Sequence, residues 1–150
     1  MRLPSSLTRM MIEKMRTKAR QMEGATSVAI VVGWDVDALM ALEMLERVLD
    51  HNSITPIISS VSTRIGFRET MKKLAANSNI RSIVTLNVGA LEDLTEYAFA
   101  ANPKKYIYVL DSHRPVHHAN LSCDELIVVI DDGHSGMTLC PSTKEVELQA

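Results

Sequence analysis

Two cysteines are all that the 150 residues carry, and Cys123 and Cys140 fit no C-x-x-C spacing. Two lone thiols argue against a disulfide framework and point to a reducing compartment. Strong charge of either sign is missing too. A formal net charge of −2 gives the chain no global pull toward nucleic acid, so any DNA contact would have to be a local patch. No apolar run approaches the roughly 18–20 residues that cross a bilayer. The basic residues spread through Arg2–Arg20 enclose no apolar h-region, so a secretory signal is not expected. Gly33 has no G-x-G-x-x-G around it, which argues against a dinucleotide fingerprint. There are no internal repeats and no low-complexity stretch. Composition alone leaves a cytosolic and a nuclear location equally open.

What is present is ordinary in bulk. The length is one domain's worth, and 46% apolar with 23% charged residues suits a globular protein with a real core. Along the chain, segment types alternate. Ser5–Met22 is basic and Met-rich, with Leu7, Met11, Met15 and Met22 on one helical face. A helix laying its Met side on the core, with solvated Lys and Arg outside, is preferred over a nucleic-acid patch. Gly24 ends it. Val28–Val32 reads as a buried strand. A helix follows from Asp37 to about Asp50, apolar at Ala38, Ala41, Leu42, Leu45, Val48 and Leu49, with a Glu43–Arg47 pair outside. Ile54–Ile58 is a strand whose Pro56 favours an edge or terminal position.

The alternation continues with a helix at Phe67–Ala76, a strand at Ile80–Leu86 and a helix at Leu91–Ala101 that Asn102-Pro103 stops. Strands follow at Tyr106–Leu110 and Leu126–Ile130. The expectation is an α/β fold: three layers, a mostly parallel sheet and helices on both faces, with right-handed crossovers. Residues 1–24 are then an N-terminal helix packing on the core, residues 25–132 the α/β domain and residues 133–150 an irregular tail.

Two polar clusters leave strand ends. Trp34-Asp35-Val36-Asp37 places two carboxylates where a strand becomes a helix, an arrangement used to hold hard divalent cations. The plainer alternative makes Asp37 the N-cap of the helix. Asp111-Ser112-His113-Arg114-Pro115-Val116 follows another apolar strand and sets an acid, a hydroxyl, an imidazole and a guanidinium side by side. These groups could equally satisfy loop backbone. Both clusters fall at carboxyl ends of strands in one sheet, the edge where α/β proteins bind ligands.

The run of Asp35-Val36-Asp37-Ala38, then Leu86-Asn87-Val88-Gly89-Ala90, then Asp111-Ser112-His113-Arg114-Pro115-Val116 resembles the DHH phosphoesterase superfamily. More closely, it is similar to the cell division control protein 45 family, relatives of the RecJ exonucleases, over roughly Ser27 to Ile130. In active members of the superfamily two metals, usually manganese, activate the attacking water. The resemblance implies ligands at Val31, Asp35, Asp37, Asn87, Asp111, Ser112 and His113, with a further Asp downstream. Val31 cannot ligate, Asn87 is a neutral amide, and Ser112 replaces an imidazole. Asp131 and Asp132 lie too close to supply the downstream acid. A vestigial site of Asp35, Asp37, Asn87, Asp111, Ser112, His113 and Arg114 is thus implied, with no catalytic residue, metal or cofactor. Arg114 would pair with Asp35 or Asp37 where a metal once sat.

What the resemblance implies for function is a non-catalytic scaffold in DNA replication. Its partners would be the minichromosome-maintenance ring and GINS, with single-stranded DNA as a further contact, in the nucleus and away from membranes. The chain corresponds to the first lobe of that family only. An active phosphoesterase with Mn2+, of DHH or haloacid-dehalogenase type, is the alternative. Against the latter, Ala38-Leu39 runs straight into helix where a Thr-bearing turn is usual. A receiver domain would need an Asp at Asn87. The remaining polar features take plain readings: His117-His118 solvated, not metal-binding; Lys104-Lys105 a solvated turn; Trp34 packed under the first strand–helix turn, not a base-stacking platform.

Overall fold

Strands that are apolar on both faces need helices over both faces, and this chain supplies them. The computed structural model describes residues 5–20, 27–99, 103–113, 115–122 and 126–130. Five strands are present: β1 (Val28–Gly33), β2 (Ile57–Val61), β3 (Ser82–Leu86), β4 (Tyr106–Leu110) and β5 (Ile127–Val129). They form one sheet in the order β2-β1-β3-β4-β5, every pairing parallel. The helices are α1 (Ser5–Arg20), α2 (Val36–His51), α3 (Arg64–Ala76), α4 (Thr95–Phe99) and α5 (His118–Leu121). From β1 the chain steps outward to β2 and then back past β1 to β3. The carboxyl ends of β1 and β3 therefore flank the point where strand order reverses.

Alternation along each strand divides the core in two. Ala29, Val31, Ile83, Ile107 and Val109 join Phe67 and Met71 of α3 on one face. Val28, Ile30, Val32, Val84 and Tyr108 join Met11, Ile12 and Met15 of α1 and Leu45 and Leu49 of α2 on the other. The expected three-layer α/β fold is what forms. Met11 and Met15 lay the α1 face on the core as expected, while Met22, Gly24 and the tail after Asp132 lie outside the described residues. The Glu43–Arg47 pair is made, at 2.6 Å. None of the described helices is long and apolar enough to cross a membrane.

Several boundaries differ from the sequence expectation, each for a stated cause. The second strand starts at Ile57, not Ile54, because Ile54 N–H is spent on the Leu49 carbonyl in the turn after α2. It is an edge strand, where a preceding Pro56 costs no ladder bond. The third strand starts at Ser82, not Ile80, because Ile80 N–H is spent on the Asn77 carbonyl in the turn after α3. Helix α3 starts early, at Arg64, because Thr63 caps it by accepting from Gly66 N–H at 3.0 Å. Helix α4 is short: the stretch expected to be helical from Leu91 opens with a turn instead. Leu94 N–H goes to the Asn120 side chain at 3.0 Å, and Asp93 Oδ1 accepts from Thr95 N–H at 2.9 Å, so helix begins only at Thr95.

Lys105 corrects the expectation of a solvated turn. Lys104 is exposed, its Nζ 5.5 Å from the Phe99 ring centroid, but Lys105 is fully buried. Its Nζ donates to the Asn77 and Ile80 carbonyls, both at 2.6 Å. These carbonyls lie at the end of α3 and just beyond it, where acceptors are left over and a cation suits the helix dipole. Burial pushes the Lys105 pKa down, and the nearby Arg81 charge adds to this.

Candidate functional site

The first carboxylate reaches the strand ends by capping a helix. β1 stops at Gly33, and Asp35 takes extended backbone (φ −140°, ψ 165°) while its Oδ1 accepts from Ala38 N–H at 2.8 Å. The N-cap of α2 is thus Asp35, not Asp37; Asp37 sits exposed in the first turn and does not line the cleft. Asp35 holds its pKa below the usual carboxylate range. The Ala38 N–H contributes most, burial opposes it, and a hydrogen bond from Asn87 and the charge of His113 add to the lowering.

Asn87 is the hub. It follows β3 in a left-handed conformation (φ 51°), which Asn tolerates better than most residues. Its N–H donates to the Leu110 carbonyl at 2.7 Å, pinning the ends of β3 and β4 together. Its Oδ1 accepts from Ser112 N–H at 3.2 Å and Ser112 Oγ at 2.7 Å, and its amide helps hold the Asp35 pKa down. The neighbouring backbone is close enough that Gly33 has no room for a side chain: a Cβ there would lie 2.9 Å from the Asn87 carbonyl oxygen.

Asp111 comes from the end of β4 and is buried. Its Oδ2 accepts from Ala90 N–H at 3.0 Å; its Oδ1 accepts from His113 N–H at 2.9 Å and lies 2.7 Å from His113 Nδ1. The half-exposed imidazole is thereby fixed in orientation by its own loop. Around these groups opens a cleft of about 310 Å³, at the β1/β3 reversal. Trp34, Asp35, Asn87 and His113 line it, as do Arg64 and Glu92. Trp34 is 76% exposed at this rim and not packed beneath the turn as expected. The strand has already ended at Gly33, so the capping turn carries the indole outward.

The fold therefore gathers Asp35, Asn87, Asp111, Ser112 and His113, and leaves Asp37 aside. Arg114, and with it the proposed pairing to Asp35 or Asp37, lies outside the described residues, as do Asp131 and Asp132. His117 and His118 stack on each other with ring centroids 4.7 Å apart. Sequence reasoning does not anticipate the ion cluster on the cleft wall. Glu92 is buried and accepts from Arg64 and from Arg68 Nε, the latter at 2.8 Å. Burial pushes the Glu92 pKa up, but the hydrogen bonds from Arg68 and Arg64 outweigh this and hold it below the usual range. The only local signal is the Arg64/Arg68 i,i+4 spacing on one helical face; nothing in the sequence pairs them with an acid in the loop after β3.

The CDC45 family model matches residues 28–149. The chain belongs to the CDC45 family. It is 32% identical over 107 residues to the cell division control protein 45 homolog of Dictyostelium discoideum, covering 71% of this chain and 17% of that one. To the homolog of Schizosaccharomyces pombe it is 33% identical over 120 residues, 79% of this chain and 19% of the relative. The chain thus spans less than a fifth of the length of these curated CDC45 relatives. In fold it is similar to the crystal structure of CDC45 from Entamoeba histolytica, with a TM-score of 0.71 at 15% identity, over 84% of this chain and 24% of that one. A Mn2+-bound RecJ of Thermus thermophilus is matched more weakly, with a TM-score of 0.43 at 16% identity, over 67% of this chain and 15% of that one.

Proposed function

We propose that this chain is the phosphoesterase-like first lobe of a nuclear DNA replication factor and that its strand-end site no longer performs catalysis. One observation carries the second part: a neutral amide, Asn87, lines the cleft and accepts from Ser112 N–H and Oγ. A dinuclear metal centre needs anionic or imidazole donors there, free to converge. Instead Asp35 Oδ1 accepts from the α2 N-terminus, and both Asp111 oxygens accept N–H groups. Val31 is buried in the hydrophobic core and offers no donor atom. Among the described residues, no three His, Cys, Asp or Glu side chains are grouped to hold a metal. This donor set does not fit a two-metal site, and no hydrolytic step is derived from it. The polar residues act structurally: they lock the ends of β1, β3 and β4 together.

Membership of the CDC45 family supports the replication role. The proposed partners are the minichromosome-maintenance ring and GINS, with single-stranded DNA as a further contact. Calorimetric titration of the purified chain with manganese, beside an Asp35→Asn control, tests the loss of catalysis. No saturable heat is expected. Two tight equivalents, lost in the control, would show an intact metal site and overturn the proposal. Titrating purified GINS and the helicase ring into labelled protein tests the partners directly.

A further inference from the structure

Helix α2 is apolar on two sides. Ala38, Leu45 and Leu49 are buried against the sheet. A second set points away from it: Val36, Met40, Met44 and Val48 are 74%, 56%, 68% and 41% exposed. A four-residue step turns only about 40° around a helix, so these four side chains form one continuous i±4 ridge. Such ridges are what neighbouring helices interdigitate with. A surface helix normally puts charged and polar residues on this side, since exposed apolar area contributes nothing to folding. With 16 residues the helix is about 24 Å long, enough to seat three to four turns of another helix. Trp34 stands exposed just before the ridge and adds a large aromatic at its amino end.

Charge around the ridge decides what could cover it. Asp37, Glu43, Glu46 and Asp50 accompany it, against a single guanidinium, Arg47, already bonded to Glu43 at 2.6 Å. The face is apolar, with Glu43, Glu46 and Asp50 along one flank and Asp37 beside Met44 and Val48 at about 100° per residue. A second copy of this chain does not match it. Laying α2 on α2 would oppose like charges. Its basic helix, α1, exposes Arg9, Lys14 and Arg16 but has already buried Met11, Ile12 and Met15 in its own core.

We propose that this outer face of α2 docks an amphipathic helix of another protein, one with an apolar stripe flanked by Lys and Arg. Its stripe covers Val36, Met40, Met44 and Val48, and its basic residues meet the flank of Glu43, Glu46 and Asp50. Unbranched, polarizable Met side chains at the centre let the ridge adapt to the incoming surface. The charges exclude acidic helices and speed encounter, while the apolar ridge supplies most of the affinity.

The test uses the whole 150-residue chain and a fluorescent helical peptide of about four turns, with Leu along one i±4 ridge and Lys on both flanks. Anisotropy should show saturable binding. Replacing the flanking Lys by Glu, or the Leu ridge by Ser, should each weaken it by at least about ten-fold. The Met40→Gln, Met44→Gln double variant should lose binding by a similar factor with its melting temperature kept, since both side chains are exposed. Methyl spectra of 13C-methionine-labelled protein should shift at Met40 and Met44 and stay unchanged at Met11 and Met15. Absence of binding, equal binding of the Lys- and Glu-flanked peptides, or shifts confined to other sites would overturn the proposal. A concentration-dependent dimer that the double variant abolishes would also overturn it, by assigning the face to a second copy.

Discussion

Asn87→Asp adds one charge by replacing one atom, and the structure makes its consequence specific. The Asn87 amide helps hold the Asp35 carboxylate in its charged form while its oxygen accepts from Ser112. An aspartate keeps the acceptor but replaces the donor with a second anion. Two like charges brought to about 4 Å repel by roughly 1–4 kcal/mol between water-like and protein-surface screening. Allowing for the partial exposure of both residues, a net cost of about 2 kcal/mol is expected. In a domain of this size that lowers the melting temperature by about 4–8 °C. The effect must also depend on pH. Repulsion raises the carboxylate pKa values in the folded variant above those of the unfolded chain. Stability is then retained at acid pH, where a proton is bound, and is lost as pH rises through the folded value. Differential scanning calorimetry of wild type and variant from about pH 4 to pH 7 gives the answer. Equal melting temperatures at neutral pH, or a deficit that does not shrink in acid, would refute the influence of the Asn87 amide on Asp35.

Three further outcomes are expected. Asp35→Ala should cost about 1 kcal/mol in urea unfolding by removing the α2 cap, while Asp37→Ala should change little; the reverse order would move the cap to Asp37. Glu92→Gln should cost about 1–2 kcal/mol at neutral pH by leaving Arg64 and Arg68 without their shared carboxylate. Because the folded Glu92 pKa lies below the usual value, that difference should be full above about pH 4.5 and fade as pH falls below it, which urea midpoints at the two pH values will show. Burial pushes Tyr108 up to about 12, and its hydroxyl finds no hydrogen-bond partner among the described residues. Its folded pKa exceeds the unfolded value of about 10, so stability should be lost as pH rises between the two, by up to about 3 kcal/mol. Tyr108→Phe should be near neutral at about pH 8 and remove that part of the alkaline loss; an unchanged alkaline limb would count against it.

How much of this was legible in the sequence depends on the range of the interaction. Tyr106–Leu110 is a strand to the residue, and the buried core of Val28–Val32 is equally plain, because a strand covered on both faces must be apolar at every position. The Met face of α1, the core face of α2 apart from Val48, which is exposed and not on the core as expected, and the edge position of β2 follow from periodicity and one proline. The family resemblance is carried by short motifs that survive in linear order, from Asp35 through Asn87 to Asp111. Boundaries are less legible. Thr63, Asp93 and Asp35 are all competent caps, but which acid of Asp35-Val36-Asp37 does the capping depends on where β1 ends against the Asn87 loop.

Charge placement is where local reading gives way. Lys105 reads as a solvated turn residue, yet carbonyls 25 and 28 positions earlier in the chain arrive at its ammonium and hold it inside. Glu92 meets two guanidiniums from a helix that precedes it by 24 and 28 positions. Trp34 is apolar enough for the core but is turned out to the cleft rim. By itself, then, the sequence determined the α/β alternation, the sheet's two-sided core and the motifs that lead to the CDC45 family, because hydrophobic period and motif order are written within a few residues. Only the tertiary structure decided which polar groups meet. Strand order, with β3 laid beside β1 and not beyond β2, brings Asp35, Asn87, Ser112 and Asp111 to one place, and no local pattern encodes that distance.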